Sequence, residues 1–284
     1  MKVHHINAAT MCPVARKLVN GDGGLFDRGR MVCHCLVVET SKGLVLVDSG
    51  LGLDDVRAPV ARLGGGFLRA TGPTLDPAEC AARQVEELGF SRRDVRHVVL
   101  THLDLDHAGG IPDFPEAKVH VMADEHAAAM ARATLRERER YRPAHWAHGP
   151  AWSTYAARGE AWKGFACVRE LDGLVPEILL VPLAGHTRGH AAVAVDTGAG
   201  WLVHAGDAYF FHGEMDLERP RCTLGLALFQ RLVAIDDALR RENQARLREL
   251  IRQHGRDVTV FSAHSPVELE ALASKHAAGA AAAE

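Results

Sequence analysis

The chain has 284 residues, of which 47% are hydrophobic and 24% charged, and its formal net charge is −3 at pH 7. This length is ample for a sizeable core, and the composition is ordinary for a soluble globular protein. Because there is no basic excess, nothing favours a nucleic-acid partner. The longest apolar stretches have the length of strands, so we expect no transmembrane helix and no membrane partner.

The N-terminus and the cysteines both indicate a reducing compartment. The first residues, Met1 to Asn7, lack the apolar core of a signal peptide, so we expect a cytoplasmic protein. Cys33 and Cys35 flank His34, and alternation in an extended chain would place the two cysteines on one face, which favours a strand over a metal clip. We therefore expect reduced and mostly buried thiols at the six cysteine positions 12, 33, 35, 80, 167 and 222.

Strand candidates alternate with helix candidates along the chain. Runs rich in Val, Ile and Leu predict strands, and segments with Ala, Leu and Glu at helical spacing predict helices. Gly89 follows one helical segment and is a typical C-terminal cap. The predicted strands span residues 3–8, 32–39, 44–47, 95–100, 118–122, 178–181, 191–195, 201–203 and 258–261. The predicted helices span residues 77–88, 124–140, 225–239 and 242–254.

The segment 141–165 has no clean period and is rich in tryptophan and histidine. Long irregular insertions in a compact domain often form lids or binding loops. The alternative is a surface loop pinned by buried tryptophans, and the two interpretations are compatible. The residues predicted to line a substrate pocket are His145, Trp146, His148 and Trp152.

Potential metal ligands follow five of the predicted strands. The segment 102–107 reads His-Leu-Asp-Leu-Asp-His directly after an apolar run, and Ala-Gly-Gly completes the turn. Imidazole and carboxylate groups at this density suit zinc, iron or manganese. The alternative, a solvated turn with incidental histidines, loses weight because the pattern recurs at other strand ends. The side chains at those ends are Asp48, His186, Asp207 and His264.

Two hairpins of the chain resemble each other. The segments 38–43 and 195–200 share a Val-acid-Thr sequence followed by glycine, and each leads into an apolar strand. One strand ends near Asp48 and the other near Asp207. Related halves that each bring ligands to one edge suit a sandwich of two sheets with helices outside.

This pattern, from Asp48 to His264, resembles the metallo-β-lactamase fold superfamily, which includes lactonases, glyoxalase II, phosphodiesterases and sulfur dioxygenases. The resemblance implies an α/β fold, an αββα sandwich of two mixed β-sheets flanked by helices. The family's second motif normally reads His-x-His-x-Asp-His, whereas this chain has Asp104 at the middle histidine. Because no linker separates the halves, we predict one domain over 1–284, with a frayed tail at 277–284.

The resemblance also implies two divalent metal ions, zinc in the first place, with manganese or iron as alternatives. Asp48 is expected to orient ligands without binding metal, and His190 to brace His186. Asp106 would orient the nucleophile and move its proton. Tyr209 could donate a hydrogen bond to a developing oxyanion, or be a half-buried aromatic under the site. The first ion would be bound by His102, Asp104 and His186, the second by Asp106, His107 and His264, and both by Asp207.

The function predicted from this site is a hydrolase that cleaves a small ester or lactone with a metal-bridged hydroxide. One alternative is an iron-dependent redox enzyme similar to the sulfur dioxygenases, and others are a phosphodiesterase, a thioester hydrolase or a binding protein on a degraded scaffold. The expected partner is a small-molecule substrate, and a homodimer is left open.

Overall fold

Two β-sheets pack face to face, and helices cover the outer face of each sheet. The computed structural model describes residues 1–156, 161–166 and 171–281, with 275–281 described as backbone only. The strands are β1 (Lys2–Met11), β2 (Met31–Thr40), β3 (Gly43–Val47), β4 (Val95–Val99), β5 (Lys118–Met122), β6 (Ala151–Tyr155), β7 (Ala161–Trp162), β8 (Phe165–Ala166), β9 (Ile178–Pro182), β10 (Ala191–Asp196), β11 (Trp201–His204) and β12 (Val258–Phe261). The α-helices are α1 (Arg16–Val19), α2 (Leu53–Arg57), α3 (Pro59–Arg62), α4 (Gly65–Thr71), α5 (Ala81–Glu87), α6 (Leu105–Ala108), α7 (Ala123–Ala131), α8 (Leu135–Arg140), α9 (Leu224–Val233), α10 (Asp237–His254) and α11 (Pro266–Ala281).

Both sheets are mixed. The larger sheet has the order β1-β2-β3-β4-β5-β6, antiparallel from β1 to β3 and parallel from β3 to β6. The smaller sheet has the order β12-β11-β10-β9, in which β11 and β12 are parallel and the other pairs antiparallel. Helices connect the parallel strands, as crossover connections require. The predicted αββα sandwich is confirmed.

Strand β2 shows how the sequence fills two cores at once. Leu36 and Val38 face the core between the two sheets, whereas Cys33 and Cys35 face the core beneath the helices of the larger sheet. His34 lies on the face opposite the cysteines, with its ring 4.5 Å from that of Phe261. A strand covered on both faces is expected to be apolar throughout. The strand interpretation of the Cys-His-Cys sequence is therefore confirmed.

The two similar hairpins have the same turn contacts. In the β2–β3 turn the Thr40 hydroxyl donates to the Gly43 carbonyl at 2.7 Å, and in the β10–β11 turn the Thr197 hydroxyl donates to the Gly200 carbonyl at 2.8 Å. Gly43 and Gly200 both have positive φ, 110° and 139°, which a side chain would disfavour. The similarity between the two sequence segments therefore corresponds to two equivalent turns, one in each sheet.

The predicted helices over 124–140 and 225–239 are each interrupted. Arg132 has φ of 44°, and a capping box between Thr134 and Glu137 starts a new helix, α8. The second helix, α9, ends at Val233, and the Asp236 carboxylate accepts from the Leu239 amide to cap α10. The helical periodicity of the sequence continues through both segments, but the caps formed by these polar side chains begin a new helix in each.

Other segments also differ from their sequence interpretation. Three short helices, α2 to α4, occupy a segment for which no element was predicted, and 141–165 contributes β6 to the larger sheet. The tail predicted to fray is helical to Ala281, and 282–284, like 157–160 and Cys167, lies outside the described residues. Within the described part of the chain, no helix combines the length and apolar character needed to cross a membrane.

Candidate metal centre and adjoining cavity

The seven side chains predicted as ligands meet at the ends of four strands, and Asp48, which is expected to orient them, lies at the end of a fifth. Asp48 follows β3, the 102–107 segment follows β4, His186 follows β9, Asp207 follows β11 and His264 follows β12. The donor atoms of the seven ligands, together with Cys33 Sγ, form overlapping groups in which all members lie within 4.8 Å of one another. These groups are His102, Asp104, His186 and Asp207; His107, Asp207 and His264; and Cys33, Asp106 and His264.

The two oxygens of Asp207 face different histidines. Oδ2 lies 3.3 Å from His186 Nε2 and 3.7 Å from His102 Nε2. Oδ1 lies 3.2 Å from His107 Nε2 and 3.0 Å from His264 Nε2. One carboxylate therefore joins two groups of donors, the arrangement that a bridging ligand requires.

The carboxylates of the 102–107 segment divide between the two groups. Asp104 Oδ2 lies 3.0 Å from His186 Nε2 and 3.5 Å from His102 Nε2. Asp106 Oδ2 lies 3.7 Å from His264 Nε2. The structure thus brings together the side chains assigned to each predicted ion.

Hydrogen bonds at Nδ1 turn Nε2 of three of the four ligand histidines towards the centre. His107 Nδ1 contacts Asp48 Oδ2 at 2.8 Å, His102 Nδ1 contacts the Thr101 hydroxyl at 3.0 Å, and His264 Nδ1 contacts the Val32 carbonyl at 2.8 Å. A ligating histidine is usually held through its other nitrogen in this way, which fixes its tautomer and ring orientation.

Asp48 is the anchor of this arrangement. Its backbone has φ of 54°, and its carboxylate accepts from the Thr101 amide and hydroxyl, both at 2.8 Å, besides contacting His107. Burial acts to raise the pKa of Asp48, but the attraction of His107 and its hydrogen bond outweigh burial and lower the pKa to about 2. A carboxylate that stays ionised can hold His107 across the working pH range.

The donor set suits divalent cations. His102 Nε2, His107 Nε2 and Asp207 Oδ1 are buried without a hydrogen-bond partner, although buried polar atoms are normally satisfied. Burial lowers the pKa of His186 to about 4, so its imidazole is neutral, the form that binds metal. Three ligand carboxylates in one buried cluster also require compensating positive charge.

His190 contacts the loop of the bridging carboxylate. Its Nε2 accepts from the Asp207 amide at 2.9 Å, and its Nδ1 contacts the Leu183 carbonyl at 3.0 Å. Burial moves the pKa of His190 well below its usual range, so the ring is neutral and able to accept this bond. Its hydrogen bond thus reaches Asp207, rather than His186, which it was predicted to brace.

Asp104 has a cationic partner that sequence reasoning missed. Arg140 Nε lies 3.2 Å from Asp104 Oδ1, and both side chains are largely buried, with 8% and 15% exposure. The other guanidinium nitrogens donate to the carbonyls of His186 at 2.9 Å and Val233 at 2.6 Å. The carboxylate that replaces the family's middle histidine is therefore balanced by an arginine 36 positions later, a separation that carried no local signal.

Glu125 joins the two ligand loops and was also missed. Its buried carboxylate accepts from the Leu103 amide at 3.0 Å, the Gly189 amide at 3.1 Å and the Tyr141 hydroxyl at 3.1 Å. Leu103 separates two ligands of one loop, and Gly189 follows His186 in the other. In the sequence, Glu125 resembles the other charged residues of an Ala- and charge-rich helix. Only its tertiary contacts distinguish it from them.

The position of Tyr209 does not favour the predicted oxyanion role. Its side chain is fully buried, and its hydroxyl donates to Glu268 Oε1 at 2.8 Å. The next residue, Phe210, lines the cavity that reaches the metal ligands, whereas Tyr209 does not. Tyr209 is closer to the alternative, an aromatic under the site, although it is fully rather than half buried.

A cavity of about 580 Å³ opens onto the donor cluster. The ligands at its surface are Asp104, Asp106, His186, Asp207 and His264. Its apolar wall is formed mainly by the N-terminal segments, α4 and α9, with side chains that include Met11, Val14, Phe67, Leu226 and Phe229.

None of the four residues predicted to form a substrate pocket from the 141–165 insertion lines this cavity. His145 is buried and contacts Asp55 at 3.1 Å, and His148 is exposed. Trp146 and Trp152 pack against the core of the larger sheet. From the described part of the insertion, the cavity receives Arg142 alone.

Comparison with known proteins agrees with the fold and the donor set, which are those of a metallo-hydrolase. A family model described as the metallo-beta-lactamase superfamily matches residues 28–258. A probable metallo-hydrolase of Mycobacterium tuberculosis is 45% identical over 266 residues, which cover 94% of this chain and 81% of the relative. The chain belongs to the metallo-beta-lactamase superfamily.

Lactonases are among the other similar proteins. An N-acyl homoserine lactonase of Agrobacterium fabrum is 34% identical over 84 residues, 30% of this chain and 32% of the relative. A solved N-acyl homoserine lactone hydrolase with N-hexanoyl-L-homoserine at its catalytic metal centre superimposes with a TM-score of 0.69 at 20% identity, covering 95% of both chains. A dizinc quorum-quenching lactonase superimposes with a TM-score of 0.60 at 16% identity, over 93% of this chain and 87% of that one. At these identities the superpositions establish the shared fold.

Proposed function

We propose that the protein is a dinuclear metal-dependent hydrolase that cleaves a neutral lactone or ester carrying an apolar substituent. One observation carries this proposal: the cavity of about 580 Å³ joins the donor cluster to an apolar wall. A cavity of this size takes a small molecule, and a site with a few polar groups at one end fixes its orientation. The lactonase relatives support the same reaction class.

Each residue has a role in this chemistry. Divalent metal ions held by the seven donors would lower the pKa of a water towards ~7 and polarise the acceptor oxygen of the substrate. Asp106 keeps 13% side-chain exposure and lines the cavity, so it can take a proton from the attacking water and deliver it to the leaving oxygen. Asp207 and the fixed histidine rings hold the reacting groups in place, which lowers the entropic cost of reaction.

The arginines of the cavity favour a neutral substrate. Arg140 is already engaged with Asp104 and two carbonyls. Arg136 donates to the carbonyls of Leu232 and Ala234, and Arg142 donates to that of Leu63. An anionic group such as a phosphodiester would have to compete with these contacts, so the observation favours lactones and esters over phosphodiesters.

A homologous series of γ-lactones with lengthening alkyl substituents tests the substrate class. Each methylene buried against the apolar wall contributes about 0.8 kcal/mol, so kcat/KM should rise about fourfold per added carbon until the cavity is full. If the metal-loaded protein hydrolyses no lactone or ester of any length, the proposal is wrong.

A matched pair of variants locates the substituent. Phe67 lines the cavity, whereas Leu135 has 77% exposure and lies outside it. Phe67→Ala should flatten the dependence on chain length and leave the unsubstituted lactone unaffected, and Leu135→Ala should match the wild type. An unchanged chain-length dependence in Phe67→Ala would place the substituent elsewhere.

Metal analysis separates hydrolysis from the redox alternative. A hydrolase should retain activity with zinc or manganese, whereas a relative of the sulfur dioxygenases should require iron and consume oxygen. The cytoplasmic location and the homodimer stay predictions.

A further inference from the structure

Cys33 lies beside the ligands assigned to the second metal ion. Its Sγ, a carboxylate oxygen of Asp106 and a ring nitrogen of His264 are all within 4.8 Å of one another. The Cys33 side chain is buried, with 2% exposure, while Asp106 keeps contact with the cavity. The thiol therefore lies close to these two ligands without lining the cavity.

Backbone hydrogen bonds fix this proximity. The His34 amide donates to the Ala263 carbonyl at 2.8 Å, and the Val32 carbonyl contacts His264 Nδ1 at 2.8 Å. Both neighbours of Cys33 are thus attached to the loop that carries His264. Because the Nδ1 contact directs His264 Nε2 inwards, these backbone contacts hold the imidazole near the thiol.

Cys35 provides an internal comparison. It lies on the same face of β2, is equally buried, and packs in the same core as Cys33. Among the described residues, Cys33 belongs to a group of potential metal ligands and Cys35 belongs to none. Burial in the core accounts for Cys35 completely, but it does not account for the convergence of Cys33 with two ligands.

We propose that Cys33 is an additional ligand of the second metal ion, beside Asp106 and His264. This proposal rests on the metal centre of the proposed function and deepens it. On binding, the thiol loses its proton to solvent and the sulfur forms one bond to the metal. With metal–sulfur bonds near 2.3 Å and metal–nitrogen bonds near 2.0 Å, neighbouring donors of one ion lie about 3–3.7 Å apart. Asp106 Oδ2 and His264 Nε2 are already 3.7 Å apart. The distances from the sulfur to these two donors lie within 4.8 Å, so they must contract by at most about 1.5 Å.

The two ions would then have different preferences. A sulfur ligand favours softer ions such as zinc, cobalt and cadmium, whereas the carboxylate of Asp104 favours harder ions such as manganese at the first site. The chain would therefore distinguish its two metal positions by one thiol and one carboxylate, and mixed occupancy by two different metals becomes accessible.

Cobalt(II) titration of the chelator-stripped full chain tests the proposal without an activity assay. Cobalt bound to sulfur gives an intense near-ultraviolet charge-transfer band, and cobalt bound to nitrogen and oxygen alone does not. The wild type should show this band, Cys33→Ser should lack it and bind the second cobalt about tenfold or more weakly, and the matched Cys35→Ser should retain it.

Each outcome decides the question. Cobalt binding by the wild type without a sulfur band would overturn the role of Cys33 while leaving the metal centre intact. This measurement uses the wild type alone, so it does not depend on the folding of a variant. A band of equal strength in Cys33→Ser would assign the sulfur to another cysteine and would also overturn the proposal. Failure to bind any cobalt would overturn the metal centre itself, and the proposal with it.

Discussion

Glu125 is the residue whose removal should disturb both ligand loops at once. Its carboxylate satisfies three buried donors, the amides of Leu103 and Gly189 and the hydroxyl of Tyr141. An unsatisfied buried donor costs about 1–3 kcal/mol, so Glu125→Ala, which leaves three of them, should lower the free energy of unfolding by about 3–9 kcal/mol. That is a large part of the 5–15 kcal/mol typical of a folded domain.

Glu125→Gln separates hydrogen bonding from side-chain volume. Oε1 accepts from Leu103 and Tyr141, and Oε2 accepts from Gly189. The carbonyl oxygen of the glutamine can keep the first two bonds, but its NH2 group then faces the Gly189 amide, and both are donors. The free energy of unfolding should therefore fall by about 1–3 kcal/mol. Metal affinity should fall in both variants, because both disturb the backbone beside ligands.

Urea unfolding of the metal-free protein and competitive metal titration measure these effects. Asp124→Ala is the matched control, since Asp124 is the exposed neighbour of Glu125 in α7 and should change stability by no more than about 0.5 kcal/mol. If Glu125→Ala unfolds like the wild type and binds metal with unchanged affinity, the reasoning about the two loops is refuted.

Three further substitutions probe the site and its surroundings. His107→Ala should reduce hydrolysis by more than about 100-fold and lower the bound metal while circular dichroism stays native, and an active variant would contradict the ligand assignment. Asp104→His should shift the metal preference towards zinc, but it leaves the buried Arg140 without its carboxylate partner. We therefore expect the free energy of unfolding to fall by about 1–3 kcal/mol, and Arg140→Met to recover this loss. If metal identity and stability are both unchanged, Asp104 has no role in metal binding. Burial raises the pKa of Glu268 from 4.5 to about 7, so its favourable contribution is complete below about 4.5 and is lost as pH rises through about 7. Urea unfolding across this range should therefore show the wild type losing about 3 kcal/mol relative to Glu268→Gln, and parallel pH profiles would contradict the shift.

The features that could be predicted from the sequence are the strands themselves and the potential ligands that recur at their ends. The site residues from Asp48 to His264 follow apolar strands that composition predicts, and the ends of neighbouring strands meet at one edge. The resemblance to a known family added their order and the sandwich. The composition of the strands and the family motifs are both properties of short segments. Predictions made from them therefore did not depend on contacts between distant residues.

The parts that sequence reasoning missed depend on long-range packing. Arg140 pairs with Asp104 because α8 lies against the ligand loop, and Phe67 and Phe229 form a cavity wall from segments far apart in the chain. The tryptophans of 141–165 suggested a pocket because aromatic residues line many pockets, but β6 places Trp152 against the core of the larger sheet. No local pattern distinguishes these outcomes.

Zinc titration of the chelator-stripped protein, read by lactone or ester hydrolysis, tests the central claim of a metal-dependent hydrolase with two ions most directly. The donor groups that share Asp207 predict no activity without metal and a rise to a plateau at about two equivalents of zinc. Hydrolysis by the metal-free protein at the rate of the zinc-loaded protein would contradict the account, as would a plateau at one equivalent that a second ion leaves unchanged.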